Sequence, residues 1–224
     1  MSQSSYRVKL LDKSTLDERT IDHLISLSAS AFGSEDQWVL SGTGGNPNLV
    51  DGFFRSRLMA GVVSPRGYIY VSLFEEEIVG VALWFGPGDE LFATEEQRAA
   101  HYDKWNQERG PALVQWWNVN QAPPVNELVK NSRKDTWSLS LLAVSPHHRR
   151  RRIAYNLCKF VMDKAMAQGE GASVLTQSQD NVKIYETMGF SMFGDVKIVG
   201  GPGGDYTIFS LTFNWPPMEP EHKQ

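Results

Sequence analysis

Residues 139–167 read LSLLAVSPHHRRRRIAYNLCKFVMDKAMA, and the chain's chemistry is concentrated there. Leu139, Leu141, Leu142, Ala143 and Val144 make a strand-like apolar run that stops at Ser145-Pro146. Proline favours an extended residue before it and cannot continue a ladder. Beyond six basic residues, Ile153, Leu157, Phe160, Val161 and Ala165 recur at spacings of three and four, which predicts a helix with one buried face. The unit is therefore strand, basic loop, helix. A helix start carries unpaired N–H groups and the positive end of the dipole, and His147, His148, Arg149, Arg150, Arg151 and Arg152 feed this one. That arrangement suits an anion, most naturally a phosphorylated ligand. A basic run is more often a solvated face or a nucleic-acid patch. Two facts weigh against that: the run joins a buried strand to an amphipathic helix, and the chain is acidic overall, with a net charge of −4.

Val144-Ser145-Pro146 followed by residues 149–154 resembles the acetyl-coenzyme-A loop of the GCN5-related N-acetyltransferases (GNAT), whose pattern is Arg or Gln, two residues, Gly, one residue, Gly or Ala. Arg149 matches the first position and Ala154 the last, while Arg152 stands where the family usually has Gly. Glycine lets backbone approach a pyrophosphate closely, whereas an arginine adds charge-assisted contacts only if its side chain clears the loop. Downstream, Asn181, Tyr185, Gly189 and Phe190 resemble the family's next motif, Asn, three residues, Tyr, three residues, Gly-Phe. The two motifs stand in the family's order, with the strand-like SVLT between them.

At 224 residues, 41% apolar and 21% charged, the chain fits a globular protein with one core. A net negative charge disfavours a dedicated nucleic-acid binder. The single cysteine, Cys158, allows no internal disulfide and points to a reducing compartment. The five histidines show no metal-ligand spacing, so no metal site is read. No stretch approaches the ~20 apolar residues of a membrane helix, and no signal core opens the chain, so a cytoplasmic protein without membrane contact is expected.

Residues 6–11 read as a strand, and Thr15 to Glu18 as a capping box opening a helix with Ile21, Leu24, Ile25 and Phe32 on one face. Residues 41–48, SGTGGNPN, read as a loop before a helix over 49–62 whose core face is Phe53, Phe54, Leu58 and Met59. Two β-rich runs, 68–74 and 78–85, form a hairpin across three glutamates, with Gly80 marking a bulge or a close approach. Residues 89–135 form an insertion with its own order: Thr94 and Gln97 as a capping box, a stripe of Ala99, Tyr102 and Trp105, a break at Gly110-Pro111, and a second helix ended by Pro123-Pro124. Three of the seven tryptophans lie in it, placed to anchor the insertion and, together, to line an acceptor pocket. A strand over 173–176, a helix over 181–188 and a hairpin of 191–199 with 206–213 follow, before a polar tail, 216–224.

The resemblance implies an α/β (α+β) GNAT fold: a mixed, mostly antiparallel twisted sheet of six to seven strands, flanked by helices and splayed between strands four and five, as one domain over 1–224. It implies acetyl-coenzyme A as co-substrate, with Leu142, Ala143 and Val144 pairing with the pantetheine arm and Arg149, Arg150, Arg151, Arg152, Ile153 and Ala154 holding the pyrophosphate. Leu142 or its neighbour would supply an N–H to the developing oxyanion. Asn181 would bind the pantetheine, and Tyr185 would bind cofactor and protonate the leaving thiolate. No glutamate lies inside strand four, so Asp135, a water held by Ser138 or Ser140, and Asp205 all stay open as the base. The leading reading is an N-acetyltransferase acting on a small primary amine, with room for a homodimer. A protein lysine or N-terminal acetyltransferase, a non-catalytic coenzyme-A-binding module and, on the basic run, a nucleic-acid binder stand behind it.

Overall fold

A computed structural model describes residues 6–133 and 135–214; the tail over 216–224 lies outside them. β1 (Arg7–Leu10) leads through a 3-10 turn, Lys13–Thr15, into α1 (Glu18–Phe32). Asp17 caps α1 by accepting from the Thr20 N–H, and Asp12 caps the turn that holds Thr15. The helix start therefore lies two residues beyond the Thr15 box, because the charged Asp17 carboxylate caps the Thr20 N–H, where a Thr15 cap would have served Glu18.

Residues 41–43, read as loop, belong to α2 (Gln37–Thr43). Asp36 caps it with two hydrogen bonds, and Gly44 ends it in the left-handed region, so the turn chemistry begins only at Gly44. Next comes α3 (Val50–Val63), which buries Phe53, Phe54 and Leu58 completely. Each such side chain contributes about 1.5–3 kcal/mol.

β2 (Gly67–Phe74) and β3 (Glu77–Phe85) form the expected hairpin, whose Glu75 and Glu76 both have positive φ, as a tight two-residue turn requires. The ladder slips between Ser72 and Leu73, which leaves Val79 as the extra residue beside Gly80. A Cβ on Gly80 would meet Ile153 at 2.9 Å and Leu157 at 3.3 Å. Both readings of this glycine hold.

In the insertion, one helical run, α4, comprises Glu95–Gln97, a π turn over Arg98–Tyr102 and Asp103–Arg109. Thr94 accepts from the Gln97 N–H, while Gln97 reaches back to the Ala93 N–H. A second run, α5, comprises Pro111–Trp116, a π turn over Trp117–Gln121 and Ala122–Val129. Pro123-Pro124 thus do not end the helix. The π turn restarts it, and both prolines fall in the first turn of the new segment, where no N–H is needed.

β4 (Thr136–Val144), α6 (Ile153–Ala167), β5 (Gly171–Thr176), α7 (Gln179–Thr187), β6 (Ser191–Gly201) and β7 (Gly204–Phe213) complete the chain. The seven strands lie in the order β1-β2-β3-β4-β5-β7-β6; β4 and β5 are parallel and every other neighbouring pair is antiparallel. This is the expected GNAT-type sheet. α1 and α3 cover one face, and α6 and α7 the other. Ile153, Leu157, Val161 and Ala165 of α6 are buried, but Phe160 is 50% exposed. It lies on the flank of the stripe and packs its ring on buried Tyr70, centroids 5.3 Å apart. Cys158 and Met162 fill the face instead. Among the described residues no helix is long and apolar enough to cross a membrane.

Changing Gly80 to Ala should destabilise the fold by about 1–2 kcal/mol, since the new methyl group overpacks the start of α6. Thermal unfolding reads this directly, and an unchanged midpoint would show that α6 yields freely.

Candidate functional site

The site begins with a disagreement between two strands. β5 pairs with β4 only from Thr136↔Gly171 to Leu139↔Val174; beyond that pair the two diverge. On the other side of β4, Leu141 pairs with Leu83 and Leu139 with Trp84, so Ser140 is an extra residue, a β-bulge. The bulge turns the strand over: Trp137 and Leu139 pack on the α6 side, Leu141 and Ala143 on the α1 side. The Ser145 N–H donates to the Val79 carbonyl at 2.9 Å. By the alternation of an antiparallel pair, Ala143 then bonds to β3, whereas the N–H and C=O of Leu142 and Val144 point to the opened side.

Where β4 ends, a 3-10 turn, Pro146–His148, leads into the four arginines, all exposed. Arg150 and Arg152 both have φ near +60°, the left-handed region that costs an ordinary residue roughly 1–2 kcal/mol. Arg152, standing where the resemblance expects Gly, thus keeps the glycine's backbone shape. It precedes α6 without forming a side-chain cap, so no side chain takes up the N–H groups of Ile153, Ala154 and Tyr155. Its guanidinium turns aside over the Tyr155 ring, 4.6 Å from the centroid. Arg149 donates to the Ala31 carbonyl, tying the loop to α1, and Arg151 donates to the Tyr6 hydroxyl at 3.0 Å.

A cavity of about 970 Å³ runs along this opened edge. Leu142, Ala143, Val144, Arg149, Arg150, Arg152, Ile153, Ala154, Asn181 and Tyr185 all line it; Arg151, turned toward Tyr6, does not. Ser178 caps α7, so Asn181 is not the cap and instead donates its amide to Thr176 Oγ1 at 3.3 Å. Tyr185 lies edge-on to Phe190, centroids 5.6 Å apart. Burial, reinforced by nearby Cys158, pushes its phenol well above the usual range, so it is neutral at any working pH. Cys158 is itself sealed in the core, and burial pushes its thiol up to about 12.

The three candidate bases separate in space. Asp205 is exposed, engaged by Lys197 at 3.0 Å and the Gly200 N–H at 3.0 Å, and is not part of the cavity wall. Asp135 is exposed. Ser138 accepts from Arg133 Nε at 2.9 Å, while the Ser140 hydroxyl lines the cavity, sealed and without a partner among the described residues. Two residues lining the same cavity escaped the sequence reading. Asp36 is its one carboxylate, raised by burial against the two N–H groups it caps. Arg57 lies wholly inside the apolar stripe of α3, and a charge in that stripe was the available signal. Of the insertion's tryptophans, Trp105 is core, Trp116 packs on the outer hairpin and Trp117 reaches the cavity. Among the described residues no cluster of three or more His, Cys, Asp and Glu could hold a metal.

Residues 112–201 match the family model described as acetyltransferase (GNAT) domain. No curated protein matches the chain in sequence. Among solved structures, one from Corynebacterium glutamicum described as a histone acetyltransferase and related acetyltransferase aligns at a TM-score of 0.61 and 19% identity, over 97% of this chain and 99% of that one. An agmatine N-acetyltransferase variant aligns at 0.60 and 15%, over 93% and 98%. The ribosomal-protein-S18-alanine N-acetyltransferase from Escherichia coli aligns at 0.53 and 10%, over 98% and 99%. At these identities the likeness is one of fold.

Replacing Arg152 by Gly should leave the thermal midpoint equal or higher by a few degrees, because Gly enters the left-handed region without strain. Replacing it by Val should lower it. The reverse ranking would mean that the stack on Tyr155, not the backbone shape, holds the loop.

Proposed function

Because the chain belongs to the GCN5-related N-acetyltransferase superfamily, we propose that it is an acetyl-coenzyme-A-dependent enzyme that acetylates a small primary amine by direct attack, the whole chain serving as one catalytic unit. The observation that carries this reading is the coincidence, along one cavity, of an uncapped helix start, a basic loop and a strand edge with unpaired backbone groups. The residues fit the co-substrate. Diphosphate oxygens suit the free N–H groups of Ile153 and Ala154, with Arg149, Arg150 and Arg152 supplying charge. A pantetheine arm carries amides that can add to β4 as a further strand against Leu142 and Val144. The Asn181 carbonyl, its amide already given to Thr176, is left to accept from such an arm.

When bound, acetyl-coenzyme A supplies the activated thioester. The Leu142 N–H, aimed into the opened edge, serves as donor to the carbonyl oxygen as charge grows there, a role in which a single lost donor typically costs 10²–10³ in rate. As the amine adds to the carbonyl carbon and the C–S bond breaks, Tyr185 is the hydrogen-bond donor to the departing sulfur. Its raised pKa makes it a weaker acid than a free phenol but keeps the proton in place into the alkaline range. Asp36 is placed to hold the attacking ammonium and to receive its proton, burial having raised its affinity for one. The insertion narrows the acceptor end with Trp117, Phe92 and Tyr102, which favours a small molecule over a protein tail.

Calorimetric titration with acetyl-coenzyme A should give a micromolar Kd that weakens at least about tenfold when Arg149 and Arg152 are both changed to Ala. No binding by the unaltered protein would end the enzyme reading. Tyr185→Phe should lower kcat by about 10²-fold while leaving acetyl-coenzyme-A affinity within about twofold. In the unaltered enzyme, the raised phenol predicts no alkaline decline in kcat below about pH 10, because the proton that Tyr185 donates is lost only above its ordinary pKa. An alkaline limb between pH 8 and 9 that disappears in Tyr185→Phe would contradict the buried phenol.

A further inference from the structure

One wall of the cavity is backed by buried guanidiniums with which no carboxylate among the described residues is ion-paired. Arg57 is 2% exposed, yet it lines the cavity. Its guanidinium carbon lies 3.5 Å from the Phe53 ring centroid, 4.9 Å from that of Trp38 and 5.4 Å from that of Trp105. Nη1 donates to the Phe53 carbonyl at 2.6 Å and to Ser56 Oγ at 3.4 Å. Nε is sealed from solvent without a partner, and Nη2 bonds to no described residue. Arg109, 7% exposed, stacks on the same Trp105 at 4.2 Å. Its Nε bonds to Asn106, while both terminal nitrogens are sealed and unpartnered. Arg133 lines the same cavity.

Among the described residues no carboxylate pairs with any of these three arginines. The contrast with Arg55, on the same helix as Arg57, is direct: it meets Glu18, Asp22 and Asp51. Acids thus meet the partly exposed arginine of α3 and, among the described residues, not the buried one. Aromatic faces offset part of the cost of a buried cation, about 0.5–2 kcal/mol per contact, but they offer Nη2 no acceptor. Burial, opposed by Tyr102 and reinforced by Arg109, pulls the Arg57 pKa down to about 9, so the group is still charged at neutral pH and would gain from an anion.

We infer that the acceptor is an amine that also carries a carboxylate, in the manner of an amino acid, and that Arg57 receives the carboxylate on Nη2, which is neither sealed nor bonded to any described residue. The inference rests on the acetyltransferase reading and names its substrate class. A charge-assisted hydrogen bond from a guanidinium nitrogen suits a carboxylate oxygen. Asp36, the only carboxylate on the wall among the described residues, takes the ammonium, and Trp38 stands two residues from Asp36 and beneath Arg57, joining the two subsites. A polyamine or a lysine-rich tail would bring more positive charge against unneutralised guanidiniums.

The test uses acceptors matched in skeleton and differing only in the carboxylate: phenylalanine with 2-phenylethylamine, methionine with 3-(methylthio)propylamine, and arginine with agmatine. With acetyl-coenzyme A present, thiol release should show kcat/KM at least about tenfold higher for the carboxylated member of each pair that turns over. Arg57→Met should abolish that preference while leaving acetyl-coenzyme-A affinity within about twofold, and Arg57→Lys should restore part of it. Equal or better turnover of the decarboxylated partners overturns the inference. So does an Arg57→Met variant that loses thermal stability but keeps the preference, since Arg57 would then be a packing residue. Without turnover, calorimetric titration of the coenzyme-A-saturated protein with each pair decides: binding of the carboxylated member alone supports the assignment, and equal binding or none refutes it. Failure to bind acetyl-coenzyme A would instead remove the acetyltransferase reading, and titration of the protein with phenylalanine and 2-phenylethylamine alone would still judge Arg57.

Discussion

Every part of the site depends on the ladder that β4 and β5 do not form beyond Leu139 and Val174. A parallel pair in the middle of a sheet ordinarily exchanges bonds along its length, and unpaired backbone there costs free energy comparable to lost hydrogen bonds. Here the Ser140 bulge re-aims β4 while β5 continues with β7, so Leu142 and Val144 present both polar groups to a gap. The α6 start lies at its far end because Pro146 stops the strand and the loop must turn within a few residues. The opened strand edge and the uncapped start of α6 thus meet along one cavity.

The central unit was legible in the sequence because its signals are local and agree with one another. An apolar run, a proline, a basic loop and a helical stripe each say the same thing about residues 139–167, and the structure places the elements at those bounds within a residue or two. Gly80 was legible for a similar reason: a glycine inside a β-rich run has few uses, and here it serves two.

The misreadings share a different cause. Thr15 and Pro123-Pro124 are signals whose meaning depends on neighbours not adjacent in pattern: a stronger cap at Asp17, and a π turn that resets the helix before the prolines. Phe160 fits the helical stripe yet sits at its edge, and the fold uses it to cover Tyr70. Arg57 and Asp36 were passed over because their surroundings are set by what faces them across about 20 to 110 residues of chain: α3 places Arg57 among rings from α2 and α4, and α2 places Asp36 on the wall of a cavity whose other side is β4. No local pattern encodes such a meeting.

The packing under Tyr185 has a bearing on bench work. Cys158 is the chain's only sulfhydryl, and burial in the core holds it protonated. The folded protein is consequently silent toward disulfide-exchange dyes, so colour in a coupled assay counts product and not enzyme. For the same reason, storage in air should not link two chains through this residue while the core is intact.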